Sequence, residues 1–276
     1  MKSVLICPVC KGALSRYDKR FACPKGHSFD IAKHGYVNLL LGNAGQHGDN
    51  TAMIAARHAF LSRGFYDHLA QGLKEAIKRL PLSSAPAVLD IGTGECYYLE
   101  AVKQALEEKA PHLYGFDISK QALRFGAKRA LSATLFVASA YHMPIADASI
   151  DLALLFFSPY AKEECLRVLK KGGYFILAIP AERHLWELKS AIYDTPYLNT
   201  PADFTLDGFT LLEQRHIERD ICLSSQEDIQ ALFQMTPYYY KTSAKDQEKV
   251  KALESLTVKT AFELLVYQKN ESYMLL

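Results

Sequence analysis

A chain of 276 residues that is 49% hydrophobic and 22% charged has the composition of a soluble globular protein, with room for one large domain and one small one. Its longest apolar run, residues 152–157, cannot span a bilayer; residues 1–6 are too short for a signal-peptide core; and a formal net charge of +2 excludes a strong overall attraction to nucleic acid. The charge is unevenly spread: residues 1–40 carry seven basic and two acidic side chains, a net of +5, which gives a small N-terminal module a basic face suited to phosphate or simply to solubility. Three of the six cysteines cluster in that module, whereas Cys96, Cys165 and Cys222 are scattered, as expected in a reducing cytoplasm.

Cys7-Pro8-Val9-Cys10 is followed by Cys23-Pro24-Lys25-Gly26-His27, a C-x2-C-x12-C-x3-H spacing. Two sulfurs from one tight knuckle and a Cys–His pair from a second complete a tetrahedron, so Cys7, Cys10, Cys23 and His27 are expected to ligate Zn2+. The intervening residues 13–21 have the length of a β-hairpin, and zinc would hold together a segment too short to bury its own core. A disulfide or a redox C-x-x-C pair leaves the second knuckle unexplained. Residues 29–40 read as the last piece of this module, with His34 a surface residue or an RNA contact, because the tetrahedron is already full. Residues 42–50, with three glycines, read as a loop. Helices are expected over 51–62 and 67–80, the second with Leu69, Leu73, Ile77 and Leu80 on one face and Asp67 as N-cap. Residues 81–86 form a short linker.

Val88-Leu89-Asp90-Ile91-Gly92-Thr93-Gly94-Glu95-Cys96-Tyr97-Tyr98 then reads as a buried strand, a glycine turn and the start of a helix. The third glycine of a dinucleotide-binding G-x-G-x-x-G is absent, since Tyr97 stands there. The acid two residues before the first glycine, Asp90, makes the frame Asp-x-Gly-x-Gly, which resembles the first motif of class I S-adenosylmethionine (SAM) methyltransferases. An ordinary strand–turn–helix is the alternative. After a helix over 99–109, a second strand over 113–117 ends in Asp117, placed to accept ribose hydroxyls, to cap the helix expected over 119–130, or both. A third strand covers 134–138; in the class I arrangement the following residues 139–143 lie near the adenine. The fourth strand, 150–157, is apolar on both faces and ends in Phe157-Ser158-Pro159-Tyr160. Ser158, Pro159 and Tyr160 resemble the polar-Pro-x-aromatic signature of many amino- and ring-nitrogen methyltransferases, in a form that departs from Asn-Pro-Pro-Tyr; a plain proline turn is the alternative.

A helix over 162–169, a tight turn at 170–173 and a fifth strand over 174–179 complete a doubly wound parallel sheet, with ligands expected at the strand C-terminal ends, where residues 180–184 also fall. A helix over 185–192 holds Trp186, expected to pack rather than to stack on a base. A strand over 209–220, helices over 226–234 and 243–254 and a strand over 255–268 follow. Gln234-Met235-Thr236-Pro237-Tyr238-Tyr239-Tyr240 offers three tyrosines that could stack on bases or pack under the sheet edge.

These pieces together resemble the bacterial 23S rRNA (guanine-N1) methyltransferases, a zinc ribbon followed by a class I SAM domain, over nearly the whole chain. The resemblance rests on the four-ligand cluster with Cys-Pro-x-x-His-x-Phe-Asp, on Gly35-Tyr36-Val37-Asn38-Leu39-Leu40, on residues 88–98, on Arg183-His184-Leu185 and on Gln234-Met235-Thr236-Pro237. It implies a Rossmann-like α/β fold divided into a zinc-binding RNA-recognition module (1–42), a loop and helical linker (43–86) and a SAM domain (87–276). It also implies a cytoplasmic enzyme that methylates N1 of one guanine in a 23S rRNA hairpin, with no membrane partner and with a homodimer allowed. SAM contacts are implied at Tyr66, Gly94, Glu95 and His184, beside Asp90, Gly92 and Asp117 from the turn and second strand.

Two departures stand out. Cys96 replaces the last glycine of the usual Gly-x-Gly-Glu-Gly, at a cost of ~1–2 kcal/mol if that position needs φ > 0. The 42–50 loop is poor in Lys and Arg. For the chemistry, the methyl group arrives activated and the protein mainly has to align it with its acceptor. Asp49 and Ser158 are the candidates for handling the N1 proton, and an extruded guanine could stack on Tyr160. Alternatives are a small-molecule SAM methyltransferase with an incidental zinc ribbon, or a non-catalytic RNA binder whose SAM site has decayed at Cys96; the intact Asp90, Gly92, Gly94 and Asp117 stand against decay.

Overall fold

The computed structural model describes residues 4–42, 50–200 and 203–271. The zinc ribbon folds first along the chain as a small antiparallel sheet of β1 (Ser15–Arg16), β2 (Arg20–Ala22) and β3 (Ser28–Asp30). Strand β4 (Tyr36–Asn38) and helices α1 (Thr51–Ser62) and α2 (Asp67–Arg79) lead into the large domain. There β5 (Ala87–Ile91), α3 (Tyr97–Ala105), β6 (His112–Asp117), α4 (Lys120–Lys128), β7 (Thr134–Val137), β8 (Ile150–Phe156), α5 (Lys162–Val168) and β9 (Leu169–Pro180) alternate. The chain closes with α6 (Trp186–Ile192), β10 (Phe209–Leu223), α7 (Gln226–Gln234), α8 (Tyr238–Lys241), α9 (Ala244–Lys251) and β11 (Leu256–Lys269).

Among the described residues, eight strands form one sheet in the order β10-β11-β9-β8-β5-β6-β7-β4. All neighbours from β4 to β9 pair in parallel, and β11 runs antiparallel to both β9 and β10. Strand β5 is buried at every position, as a central parallel strand covered on both faces must be. The chain winds outward from β5 through β6 and β7, then returns to β8 on its other side. That reversal opens a crevice at the C-terminal ends of β5 and β8, where α/β sheets bind their ligands. One face of the sheet packs on α1, α2, α3, α6 and α7, the other on α5 and the zinc ribbon.

The ribbon is more deeply integrated than a separate module would be. Residues expected to finish it supply β4, which pairs in parallel with β7 through Tyr36–Leu135, Val37–Phe136 and Asn38–Val137 and so extends the large sheet. A second anchor precedes the first zinc ligand: Ile6 N–H donates to the Pro144 carbonyl (3.0 Å) and Ala146 N–H to the Val4 carbonyl (2.8 Å). Leu5, Cys7, Leu14, Phe21 and Cys23 share one apolar layer with Phe136, Ala138, Met143 and Ile145 of the large domain. The ribbon borrows a core it is too small to build alone.

Local differences from the expected elements have local causes. Asp67 is the first residue of α2 rather than its cap, because its amide already donates to Gly64 O (3.0 Å); its carboxylate accepts from the Tyr97 hydroxyl at 2.6 Å. Ser119 caps α4 by accepting from Ala122 N–H (3.2 Å), so Asp117 is not the cap. Residues 170–173 fall within β9, at the register irregularity between the Ile150–Leu169 and Leu152–Tyr174 pairs, where Gly172 has φ 69°. Trp186 is half-buried with the Arg183 guanidinium over its ring at 5.2 Å. No helix among the described residues is long and apolar enough to cross a membrane.

Candidate active site and metal centre

The two knuckles bring Cys7, Cys10, Cys23 and His27 together, with their ligand atoms all within 4.8 Å of one another. Cys10 Sγ lies 3.6 Å from Cys23 Sγ, and His27 Nδ1 lies 3.6 Å from Cys7 Sγ and 3.4 Å from Cys23 Sγ. A tetrahedral zinc with bonds of ~2.3 Å to sulfur and ~2.0–2.1 Å to nitrogen has edges of about 3.5–3.8 Å. A disulfide would need ~2.05 Å. The donor set and its spacing therefore fit Zn2+, with Nδ1 as the histidine ligand and no position left open for catalysis. Tight turns shape both knuckles: Lys11 N–H donates to Cys7 O (2.8 Å), and Gly26, at φ 86°, donates to Cys23 O (2.9 Å).

At the crevice between β5 and β8 lies a cleft of about 920 Å³. Its floor is the glycine turn, where Gly92 (φ 70°), Gly94 (φ 54°) and Cys96 (φ 63°) are all left-handed. Gly92 is a glycine for a second reason: a Cβ there would fall 2.6 Å from Ser158 Cβ, whose hydroxyl lies still closer. Asp117 ties the turn to β6, accepting from Gly94 N–H (2.9 Å) on one oxygen and from Ser119 N–H (2.8 Å) on the other. Asp90 is buried and accepts from Thr93 Oγ1 at 2.6 Å. Burial pushes its carboxyl up to about 7, against the Thr93 hydrogen bond that lowers it, and the charge of Asp117 adds to the rise.

Tyr66 and His184 meet across 118 positions of sequence, 3.4 Å from hydroxyl to Nε2. Ala261 N–H donates to His184 Nδ1 at 3.1 Å, which assigns the ring proton to Nε2 and makes Tyr66 the acceptor. Burial holds His184 down to about 3, so the ring stays neutral, and burial also raises the Tyr66 phenol well above its ordinary range. Among the described residues no other group takes the Tyr66 proton, so it is available to a ligand in the cleft. The Glu95 carboxylate is engaged by the Arg129 guanidinium and by His58 Nδ1 at 3.0 Å, which joins the turn to α4 and α1.

Tyr66, Asp90, Gly92, Gly94, Glu95, Asp117, Ser158, Pro159 and His184 all line this one cleft. Tyr160 does not. Its ring turns to the opposite face of the sheet and stacks on Phe175 at 5.9 Å, which removes it from any base held in the cleft. Asp49 lies outside the described residues. Sequence reading missed Met53, Arg57 and Leu61, which line the cleft from α1; their i, i+4, i+8 spacing places them on one helical face and was the available signal. It also missed Phe157, for which strand periodicity pointed the wrong way. Of the tyrosine-rich segment, Tyr238 reaches the cleft together with Met235, Thr236 and Pro237.

Cys96 sits fully buried at its left-handed position, its thiol pushed up to about 12 by burial and therefore un-ionised. Space for it comes from Gly126 of α4: a Cβ at 126 would stand 2.5 Å from Cys96 Sγ and 3.2 Å from the Glu95 carbonyl carbon. Gly126→Ala should cost ~1–3 kcal/mol by overpacking, measured as a fall in the urea midpoint. The Cys96→Gly/Gly126→Ala pair should recover most of that loss, because it removes both the sulfur and the left-handed strain; equal losses in the single and double variants would refute this pairing.

Comparison with known proteins agrees with the geometry. Residues 5–43 match a zinc-ribbon family model described as RlmA, N-terminal, and residues 88–173 match a methyltransferase-domain model. The chain is 36% identical over 190 residues to the Streptomyces fradiae 23S rRNA (guanine(748)-N(1))-methyltransferase, covering 68% of this chain and 67% of that protein. To a Micromonospora griseorubida protein assigned to the 23S rRNA (guanine-N1) methyltransferases it is 37% identical over 204 residues, covering 67% and 68% of the two chains. A crystal structure of a Bacillus halodurans protein assigned as a methyltransferase, 16% identical, superposes with a TM-score of 0.50 over 72% of this chain and 98% of that one. The fold is that of the class I SAM methyltransferases, with a zinc ribbon at the N-terminus.

Proposed function

Since the chain belongs to the family of 23S rRNA (guanine-N1) methyltransferases, we propose that it methylates N1 of one specific guanine in a hairpin of 23S rRNA. The observation that carries this reading is the single cleft in which the glycine turn, Asp117 and the Tyr66–His184 pair face Ser158 and Pro159 at the end of β8. SAM supplies a methyl group already activated by its sulfonium. In this reading Asp117 accepts the ribose hydroxyls, Gly92 and Gly94 let the backbone approach the cofactor, and Tyr66, with its proton held outward by His184, donates to the cofactor carboxylate. Glu95 keeps the turn in place through Arg129 and His58, and Asp90 presents negative charge to the cationic cofactor. Ser158, resting on Gly92, and Pro159 position the acceptor ring, and Ser158 or Asp49 handles the N1 proton. Residues 1–42 recognise RNA through their excess of basic side chains, and residues 43–86, which supply Met53, Arg57, Leu61 and Tyr66 to the cleft, carry the chemistry together with residues 87–276, in the cytoplasm where rRNA is made.

Purified protein, SAM and unmodified 23S rRNA should yield N1-methylguanine at one position by mass spectrometry, with guanine 748, the position named for the Streptomyces relative, examined first. SAM binding with no such product in the RNA would sink the reading. The elevated Asp90 carboxyl adds a pH signature. Below about 7 it is protonated and uncharged in the free protein, so SAM affinity should rise as pH increases from 6 to 8, by calorimetry, and Asp90→Asn should bind weakly with a flat profile. A wild-type affinity that does not change with pH would show that Asp90 does not face the cofactor's charge.

A further inference from the structure

Strand β8 alternates as a sheet strand must. Leu152, Leu154 and Phe156 enter the apolar layer that holds Phe262, while Ala153 and Leu155 enter the layer shared with α5 and the zinc ribbon. Continued by one residue, this period sends Phe157 into the second layer. Phe157 takes a left-handed conformation instead, φ 57°, an outlier for a bulky aromatic that persists only where its surroundings impose it. The result is a change of side. Its ring lies 5.6 Å from the ring of Phe262 and 6.4 Å from that of Tyr98, both on the first side of the sheet, and the residue stays 48% exposed in the cleft.

We propose that Phe157 is the platform on which the target guanine stacks after it is drawn out of the RNA, an assignment that rests on the rRNA-methylation reading above. A phenyl ring left half in water at the end of a strand forfeits burial that the regular period would have given it, which is explicable if a ligand covers it. Three neighbouring rings, Tyr98, Phe156 and Phe262, brace it and limit its motion. The next residue, Ser158, packs on Gly92, so a base resting on Phe157 lies beside the glycine turn. Extruding a base costs its stacking in the RNA, and a flat aromatic face restores part of that. Tyr141 is also exposed in the cleft, but it follows β7 on the far side of β6, next to Ser139 and Ala140 and away from Ser158.

Phe157→Leu keeps apolar bulk and the same backbone strain but removes the π-face, whereas Phe157→Tyr keeps the face. On unmodified 23S rRNA the Leu variant should lose about 10- to 100-fold in kcat/KM, the range of one base–aromatic stack, and the Tyr variant should stay within about threefold of wild type. SAM affinity by calorimetry should be unchanged in both, which also reports that they fold. Phe157→Trp gives a readout independent of turnover: with Trp186 the only native tryptophan, RNA should quench the new fluorescence beyond any change in wild type. A Leu variant as active as wild type, a Leu variant whose SAM affinity falls as far as its turnover, or a Trp variant with no added quenching would each overturn the assignment. Wild-type protein that makes no N1-methylguanine overturns the rRNA reading and this assignment with it, a result distinct from an active wild type with an unimpaired Leu variant.

Discussion

Stripping zinc with a chelator, or replacing Cys7 by Ser, should lower the thermal midpoint by about 10 °C or more and weaken SAM binding at least tenfold in the complete absence of RNA. Structural zinc contributes ~10–16 kcal/mol to small zinc domains, and losing even ~5 kcal/mol of it shifts the midpoint of a chain this size by that much. The effect reaches the cofactor site because of where the ligands sit. Cys7 is fully buried in the layer that also holds Phe136, Ala138, Met143 and Ile145. Residues 138–141 line the cleft, and both ends of their segment are tied to the ribbon. On one side β7 pairs with β4; on the other, residues 144–146 exchange backbone hydrogen bonds with residues 4–6, immediately before the first ligand. Linkage makes the effect reciprocal, so saturating SAM should raise zinc affinity by the same factor, measurable by competition with a chromogenic chelator. Ile6→Pro provides the control: it removes the Ile6 N–H bond to Pro144 without touching a zinc ligand, and SAM affinity should fall while zinc content stays at one per chain. Unchanged SAM affinity in folded, zinc-free protein would show that the ribbon is energetically separate.

Gly92→Ala should reduce kcat/KM by two to three orders of magnitude while leaving most of the protein folded. Two costs add. The φ of 70° is left-handed, at ~1–2 kcal/mol for any residue with a Cβ. The new methyl would also stand 2.6 Å from Ser158 Cβ, an atom fixed to the backbone that no rotamer change can move, so the end of β8 must shift. The ~2–5 kcal/mol total falls on the juxtaposition of glycine turn and strand end rather than on the core, and a displacement of one ångström between aligned reactants is enough for a hundredfold loss. Gly92→Ala/Ser158→Gly should recover much of the SAM affinity, because it relieves the clash, and little of the turnover. An Ala variant with normal turnover would mean that the two segments move independently.

Features coded by short-range pattern were legible in the sequence. The zinc ligands follow from two knuckles and their spacing, and α1 and α7 run over the residues expected of them, Thr51–Ser62 and Gln226–Gln234. The glycine turn and the acid ending β6 were readable because a left-handed turn needs glycine and a strand end is marked within a few residues. Cys96 was visible as a departure. That its φ is 63° and that Gly126, thirty residues on, makes room for its sulfur depend on how α4 packs against the turn.

Tertiary structure decided the rest. Whether residues 36–38 finish the ribbon or join the sheet depends on the open edge of β7, about a hundred residues later, which no local window contains. The Tyr66–His184–Ala261 chain of hydrogen bonds, and with it the direction of the phenol proton, is assembled from three distant segments. At the end of β8, period two assigns Phe157 to one face of the sheet and leaves Tyr160 open to the cleft, yet the two rings lie the other way round. A single residue in the left-handed region just past the end of the strand takes Phe157 out of the alternation, so that Phe157, Ser158 and Pro159 all face the cleft. Spacing and turn chemistry thus determined the zinc ligands, the glycine turn and the acid that ends β6, because each is written within one element and its turn, whereas Tyr66, Glu95 and His184 entered only through the family resemblance. Which aromatic faces the substrate, and that the zinc ribbon and the cofactor cleft share one core, were decided only by long-range pairing and packing, whose energies belong to residues far apart in the chain.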